Sequence, residues 1–387
     1  MVLLTYLMGL ALDKGKRGWL LGLSLTAMAG LLTFFKLYQG GKLLPAGLSF
    51  YLFQMAAYLI DVYRQKLPAQ RDLMSYGAQS VMFPKLLSGP LMDPQKLAVN
   101  NQNLFCSGRL FHQGLQELIL GLGLKVLLAD RVGGLWAQAG VLGYESISTP
   151  FAWLSLLSYT LRLYFDFYGY SLMAVGIGHM LGYHLPMNFL EPYSAKSVSD
   201  FYRRWHATLG AWFREYIYIP LGGNRKGTLR TILNLVVVWA FTGFWHGVGG
   251  NYLVWALFLC LLIVNERLWL RKILDRTYVL GHMYTVFMIL MSWVPFAIGD
   301  WNQMAVFFRK LFGVYTDVLN PSDYVIWLKE YGLLLSVCIL FATPLPKKLW
   351  EKIRNTAIAD VILFILFWVV VYFAATSASD PFMYFQY

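Results

Sequence analysis

The chain has 387 residues, of which 58% are hydrophobic and 13% are charged, and its mean hydropathy is +0.52. Soluble domains carry roughly 25% charged residues, so this composition excludes an ordinary soluble protein and indicates an integral membrane protein. The formal net charge of +12 comes from basic residues in short loops between apolar segments, which is typical of cytoplasmic loops and not of a nucleic-acid-binding surface.

Long apolar runs predict about ten transmembrane helices in a single integral domain over residues 1–387. A helix needs ~20 apolar residues to cross a bilayer core of ~30 Å, and unbroken runs of this kind favour helix over strand. The predicted fold class is therefore all-α and polytopic. The apolar windows lie at residues 1–12, 18–38, 46–60, 104–129, 150–177, 229–246, 252–268, 279–298, 331–346 and 357–376.

Loops rich in Lys and Arg alternate with poorer ones along the chain. DKGKR, VYRQK and GGNRKGTLR belong to the basic set, and QGGKLLP and GVGGN to the other. Because cytoplasmic loops carry the excess of Lys and Arg, this alternation places the basic loops in the cytoplasm and the C-terminus outside.

Residues 80–94, SVMFPKLLSGPLMDP, do not fit a simple span because they contain three prolines. Proline removes a backbone donor and breaks a helix. Non-helical backbone at membrane depth is tolerated only inside protein or beside water, so we predict a broken or re-entrant segment here.

Residues 186–224 are aromatic and of mixed charge, and they begin a helix near Val198 because Ser197 and Asp200 resemble a capping box. Apolar side chains at three- and four-residue spacing follow on one side: Phe201, Trp205, Leu209, Trp212 and Tyr216. The other side carries Arg203, His206, Gly210 and Arg214. One interpretation is an interfacial amphipathic helix whose arginines meet lipid phosphates. The other gives His206 a chemical role, with Gly210 clearing space and arginines holding an anionic donor.

The motif TGFWHG places His246 directly after the apolar run LNLVVVWAF and before the glycine-rich turn GVGGN. An ionisable group at membrane depth is costly and usually faces a functional cavity, although an interfacial aromatic belt also accommodates histidine. Neutral imidazole is a suitable general base for a hydroxyl that attacks an acyl carbonyl. The other four histidines, His112, His179, His184 and His282, are predicted to be structural.

The sequence contains no nucleophile elbow, no HExxH, no phosphate loop and no dinucleotide fingerprint. The cysteines Cys106, Cys260 and Cys338 are far apart, and we expect them to be small apolar core residues. We therefore expect no metal and no tightly bound cofactor, and a direct transfer in which the acceptor itself is the nucleophile.

A set of motifs in one order resembles the membrane-bound O-acyltransferases, and within them the alginate O-acetyltransferase membrane-subunit type. The motifs are FPKLLSGP, YFDFYGYSLMAVGIGHMLGYHLPMNF, FYRRWHATLGAWFREYIYIPLGGNRKG and TGFWHG, with a closing PFMYFQY. The resemblance is densest over residues 46–270. One departure is GHMLG, which places His179 where an arginine is expected.

The resemblance implies helices around a central tunnel, with His246 as the catalytic base and His206 lining the tunnel from the cytoplasmic side. Arg203, Arg204 and Arg214 are predicted to attract donor phosphates. Three further residues are assigned lesser roles. Tyr164 lines or braces the tunnel, Asp166 needs a partner in its apolar stretch, for which Arg162 is the candidate, and Asn251 donates to the developing oxyanion.

The function predicted on these grounds is transfer of an acyl group, most simply acetyl, from acetyl-CoA or an acyl carrier protein thioester to a hydroxyl reached from the outer face. The resemblance implies a multi-pass protein of a bacterial-type inner membrane, an extracytoplasmic acetyltransferase partner and a polysaccharide or cell-wall glycan as acceptor. Alternatives are D-alanyl transfer to teichoic acid, lipid or protein acylation, and a non-enzymatic permease or glycan-export scaffold.

Overall fold

The computed structural model describes residues 1–15, 17–38, 44–85, 89–102, 105–314 and 318–376, and the regular elements within them are helices. The closing PFMYFQY motif lies outside the described residues. The α-helices are α1 Val2–Lys14, α2 Gly18–Leu37, α3 Leu48–Tyr63, α4 Leu73–Ser80, α5 Pro94–Gln102, α6 Gly108–Gly123, α7 Asp130–Leu142, α8 Thr149–Met180, α9 Val198–Arg204, α10 Ala207–Phe213, α11 Gly227–His246, α12 Gly250–Asn265, α13 Arg271–Leu274, α14 Tyr278–Ala297, α15 Trp301–Leu311, α16 Asp323–Phe341, α17 Leu345–Ile353 and α18 Ala357–Thr376.

Six described helical stretches are long and apolar enough to cross a bilayer, and the protein is a multi-pass membrane protein. A helix of 20 residues is about 30 Å long, which matches the hydrocarbon core. These stretches are Gly18–Leu37, Gly227–His246, Gly250–Leu274, Tyr278–Ala297, Asp323–Phe341 and Ala357–Thr376. The all-helical fold class is confirmed, whereas the number of ten crossings and the outer position of the C-terminus stay predictions.

The described residues separate into two compact units. Unit 1 contains the described residues within 1–118, 171–188 and 208–226, and unit 2 contains those within 119–170, 189–207 and 227–376. The single integral domain over residues 1–387 stays a prediction.

Within unit 1, small residues allow helices to pack closely. A Cβ on Gly114 of α6 would lie 2.4 Å from the carbonyl oxygen of Gly176 in α8, so only glycine fits at this crossing. Unit 1 also has a small core of Met82, Met92, Leu97, Val175 and Leu185, against which Tyr183 and Met187 pack.

Unit 2 holds the larger core, to which α7, α8, α11, α12, α14 and α16 contribute. The helices α11 and α12 form a tight hairpin. A Cβ on Gly243 of α11 would lie 2.9 Å from the carbonyl oxygen of Tyr252 and 3.0 Å from Cβ of Ala256, so glycine lets these two backbones approach. The terminal helix α18 leaves most of its apolar side chains exposed, as expected for a surface that meets lipid.

The segment with three prolines is broken, as predicted. Its described residues between α4 and α5 contain only the 3₁₀ turn Phe83–Lys85. A Cβ on Gly89 would lie 2.4 Å from Cα of Lys85, so only glycine fits beside this backbone atom. Its depth in the membrane stays a prediction.

The helix start at Val198 is confirmed, but the single amphipathic helix over residues 198–216 was wrong. Ser197 accepts a hydrogen bond from the backbone N–H of Asp200 at 3.0 Å, and α9 then ends at Arg204. The carbonyl oxygen of Arg204 accepts from the backbone N–H of Leu190 at 3.0 Å, which replaces the bond that a continuing helix would supply. The regular spacing of aromatic residues therefore does not define one helix face.

Candidate active site

His246 is the last residue of α11, where the hairpin to α12 begins. The two glycines of TGFWHG have different structural roles. Gly243 permits the close crossing of α11 and α12. A Cβ on Gly247 would lie only 2.2 Å from the ring of Tyr252. The chain therefore turns directly after His246. The residue His246 is 9% exposed.

Three aromatic rings surround the imidazole of His246. The ring centroids of Trp245, Trp255 and Phe296 lie 4.5, 4.8 and 5.3 Å from that of His246, each with an edge-on geometry. These neighbours come from α11, α12 and α14, so three helices fix the position of the ring. The structure therefore presents His246 in a rigid aromatic setting at a helix end.

His206 occupies the break between α9 and α10. Its φ of +46° is left-handed, a conformation that non-glycine residues rarely adopt and that persists only where surrounding structure holds it. The side chain is buried, and this burial lowers the pKa of His206 to about 3. The imidazole is therefore neutral at physiological pH.

His206 and His246, the two histidines predicted to be functional, both lie close to the indole ring of Trp245. The ring of His206 lies 6.3 Å from that of Trp245 and 4.8 Å from that of Phe167. Trp245 also contacts His246 at 4.5 Å. Two imidazoles that are 40 residues apart in sequence thus share one neighbour in unit 2.

Asn251 lies buried near the start of α12 and donates from Nδ2 to the carbonyl oxygen of Pro295 at 3.0 Å. Pro295 is within the last turn of α14, whose carbonyl groups lack intrahelical donors. One amide hydrogen of Asn251 therefore stabilises a helix end beside His246. Its predicted role toward an oxyanion would require the second hydrogen.

The predicted donor-binding arginines of α9 share one carboxylate. Arg203 Nη2 lies 3.2 Å from Asp200 Oδ1, and Arg204 Nε lies 3.0 Å from Asp200 Oδ2. The Arg203 side chain is 66% exposed, whereas that of Arg204 is 35% exposed. Arg203 is thus the more accessible cation on α9.

Arg214 belongs to unit 1, where it lines a cavity of about 800 Å³. Nearby, Glu215 accepts from Lys66 at 2.6 Å and from Arg64 at 3.2 Å. Tyr216 donates to Asp61 at 2.9 Å. Acidic and basic side chains therefore alternate in this region of unit 1.

Asp166 has a partner that the sequence argument did not identify. Lys125 Nζ lies 2.8 Å from Asp166 Oδ1 and also contacts Asp130. Lys125 is part of the π-helical segment Leu124–Ala129, and π-helical turns are rare but frequently occur at functional sites. Asp166 thus belongs to a buried ion cluster, as expected of a carboxylate in an apolar stretch. Its predicted role in substrate binding stays a prediction.

Tyr164 packs in an aromatic cluster of unit 2. Its ring lies 5.5 Å from that of Tyr168, 5.2 Å from that of Tyr193 and 6.1 Å from that of Trp205. The side chain is 2% exposed. These contacts show Tyr164 bracing the residue that precedes His206.

The sequence analysis did not identify two carboxylates, Glu266 and Glu117, that contact the start of α9 and His179. Glu266 accepts from the backbone at the start of α9, and Glu117 lies 2.6 Å from Nδ1 of His179. His179 was predicted to have only a structural role, and this pair supplies the partner. The signal available in the sequence was a single acidic residue in each of two long apolar stretches.

Comparison with known proteins gives consistent matches. Residues 19–298 match the profile of MBOAT, the membrane-bound O-acyltransferase family, which contains the predicted region 46–270. A probable alginate O-acetylase of Pseudomonas putida is 32% identical over 375 residues, covering 89% of this chain and 75% of the relative.

Two other relatives match shorter portions. A peptidoglycan O-acetyltransferase of Helicobacter pylori is 38% identical over 56% of this chain and 46% of its own length. A teichoic acid D-alanyltransferase of Streptococcus thermophilus is 24% identical over 58% and 57%. The chain thus spans about half the length of these two proteins.

Proposed function

Because this chain belongs to the membrane-bound O-acyltransferase family, we propose that it transfers an acetyl group from a cytoplasmic thioester to an acceptor hydroxyl reached from the outer face, for O-acetylation of a polysaccharide or cell-wall glycan. The observation that carries the proposal is the placement of His246 and His206 around Trp245. The relatives above 30% identity are named for O-acetyl transfer, which supports acetyl over D-alanyl.

In the proposed mechanism His246 is the general base. Its imidazole takes the proton of the acceptor hydroxyl while the hydroxyl oxygen forms a bond to the thioester carbonyl carbon. The tetrahedral intermediate then collapses with cleavage of the carbon–sulfur bond. The departing thiolate takes the proton back from the imidazolium, so the base is regenerated and no covalent enzyme intermediate is required.

His206 is proposed to line the donor side of the site as a neutral group. Burial keeps the pKa of His206 far below physiological pH, so its imidazole contributes hydrogen bonding without a charge. The second amide hydrogen of Asn251 is proposed to stabilise the oxyanion of the intermediate. Both residues then act on the acyl carbonyl, while His246 acts on the acceptor.

The proposed donor is acetyl-CoA or an acetylated acyl carrier protein. The exposed guanidinium of Arg203, together with Arg204, would attract its phosphates at the cytoplasmic mouth. Asp200 reduces the net charge of this region, so we expect the attraction to be moderate. Arg214 and the GGNRKG loop are proposed to attract the donor through their own positive charge.

The proposed setting is the inner membrane of a bacterial-type cell, with the C-terminus outside and an extracytoplasmic acetyltransferase as partner. The names of the alginate and peptidoglycan relatives support a glycan acceptor. In this arrangement the membrane protein delivers the acetyl group and the partner completes its transfer to the polymer.

The test is acetyl transfer by the purified protein in lipid vesicles. Labelled acetyl-CoA or acetylated carrier protein is supplied on one side and a glycan oligosaccharide with the partner fraction on the other. We expect labelled ester with the wild type and none with His246→Ala. Equal transfer by a folded His246→Ala variant would contradict the proposal and favour transport or scaffolding.

A further inference from the structure

The N-terminus of α9, the short helix that precedes His206, is held by a carboxylate from a distant helix. The first N–H groups of any helix lack intrahelical acceptors. In α9, Ser197 satisfies the N–H of Asp200, and Glu266 accepts from the N–H of Val198 at 2.6 Å and from that of Ser199 at 2.9 Å. Both oxygens of this one carboxylate are therefore engaged with the backbone of α9.

The contact is buried and specific. The Glu266 residue is 2% exposed, and its Oε2 accepts a further hydrogen bond from Oγ of Ser199 at 2.6 Å. A buried carboxylate is stable only when donors compensate its charge, and the positive end of a helix adds to this compensation. The buried charge of Glu266 is therefore compensated only while the N-terminus of α9 stays in contact with it.

A helix as short as α9 needs contacts with the rest of the protein to stay folded and in place. Isolated helices below ~12 residues are marginal in water, and α9 has 7 residues. At its other end Trp205 stacks on Phe201 with centroids 5.5 Å apart and contacts Trp293 at 5.3 Å. Glu266 and Trp205 therefore fix the two ends of the element that leads directly into the strained His206.

Glu266 also connects this element to His246. It follows directly after α12, at the first residue of the π-helical segment Glu266–Leu270. Trp255, eleven residues earlier in the same continuous helix, contacts His246 at 4.8 Å. One helix therefore touches the predicted base near its beginning and holds the His206 segment at its end, over about 16 Å.

We propose that Glu266 is a positioning residue for acyl transfer, which fixes the His206 segment relative to His246 by binding the N-terminus of α9. The inference rests on the proposed function. Its consequence is that loss of the carboxylate displaces His206 and the α9 arginines while α11, α14 and His246 keep their places. We therefore expect kcat and the KM for the donor to change and the KM for the acceptor to stay the same.

The kinetic test uses the full chain in vesicles with Glu266→Gln and Glu266→Ala. Misplacement by about 1 Å is expected to lower kcat by about a hundredfold in Glu266→Ala, and by about tenfold in Glu266→Gln, which retains one acceptor oxygen. The KM for acceptor is expected to stay within about twofold of wild type. Unchanged kcat and donor KM in a folded Glu266→Ala variant would overturn the inference, and so would a change confined to acceptor KM.

Two control variants separate this effect from general damage. Asn265→Ala removes the neighbouring half-buried side chain, whose described hydrogen bonds are to Leu261 and Trp269 of its own helix, and it should leave kcat unchanged. Ser197→Ala removes the other cap of α9 and should lower kcat in the same direction as Glu266→Gln but less. An equal loss in Asn265→Ala would show a nonspecific effect and contradict the inference.

Hydrogen exchange gives a readout that needs no acyl transfer. In Glu266→Gln, the amides of residues 198–206 should exchange at least about tenfold faster, while those of residues 239–246 keep the wild-type rate. If the wild type proves inactive with every donor, the proposed function fails, yet this measurement still decides whether Glu266 holds α9. Equal exchange in wild type and Glu266→Gln would overturn the inference.

Discussion

His246 ends a regular helix of 20 residues, whereas His206 stands in a break between two helices of 7 residues each. The first position is maintained by close packing of long helices, with glycines at the contacts. The second is maintained by polar contacts at helix ends and by aromatic packing of Trp205 against Phe201 and Trp293, beside a left-handed backbone. The same kind of side chain is thus placed once by helix packing and once by capping, and the two regions should respond differently to mutation.

The largest effect is expected at the regular helix end. His246→Ala removes the general base and should lower kcat by about 10² to 10⁴ without comparable loss of stability. His246→Gln keeps polar volume among Trp245, Trp255 and Phe296 and should be equally inactive. Acetyl transfer and thermal unfolding are measured on the same vesicle preparations.

His112→Ala is the matched control for this experiment, since it removes an exposed imidazole of unit 1. It should transfer acetyl groups at the wild-type rate. Wild-type activity in both His246 variants would refute the assignment of the base.

The second effect is the dependence of protein stability on pH, and it tests the break between α9 and α10 that contains His206. Since the pKa of His206 is about 3 in the folded state and about 6.5 when unfolded, the unfolded state binds more protons between these values. The stability that neutral His206 contributes is complete above about pH 6.5 and decreases by up to about 1.4 kcal/mol per pH unit as the pH falls toward 3.

The substitution His206→Asn should remove this pH dependence, and asparagine tolerates the left-handed backbone at this position. Chemical or thermal unfolding between pH 4 and pH 7 is compared for the two proteins. Parallel stability curves over this interval would argue against a neutral, buried His206.

These two regions also differ in how much the sequence revealed. The helix ending at His246 was predicted because an unbroken apolar run has one low-energy structure in a membrane. The start of α9 was predicted from Ser197 and Asp200, which are three residues apart. Its end was not, because the backbone donor from Leu190 comes from elsewhere in the chain. The cap that Glu266 adds at the start of α9 also comes from a distant part of the sequence.

The same reasoning applies to the buried charges. The need of Asp166 for a partner was evident from its apolar surroundings, but Lys125 as the partner was not. Lys125 is 41 residues away, in the π-helical segment Leu124–Ala129. Local patterns identify elements and motifs, whereas pairings between distant polar groups depend on packing that the pattern does not contain.

The third effect should distinguish packing from capping. Gly243→Ala places a methyl group about 2.9 Å from the carbonyl oxygen of Tyr252, and overpacking of this kind costs about 1–3 kcal/mol. The α11–α12 hairpin should open slightly and shift His246. Both unfolding temperature and kcat are expected to fall.

Gly299→Ala is the control for this substitution, since a Cβ there meets no atom within 4 Å. It should leave both measurements near wild type. An unaffected Gly243→Ala variant would show that the hairpin contact is looser than the structure indicates.

The smallest effect is expected for the cations of α9. Arg203→Ala combined with Arg204→Ala should raise the donor KM about threefold at low salt, because exposed charges in high dielectric contribute little and Asp200 already offsets them. The difference should vanish near 0.5 M salt, where the screening length falls to about 4 Å. Lys348→Ala with Lys352→Ala, which removes two exposed cations of α17, should not change the donor KM at any salt concentration. A salt-independent change would indicate that the arginines act by positioning His206, since their shared carboxylate lies in the first turn of the helix that Glu266 holds.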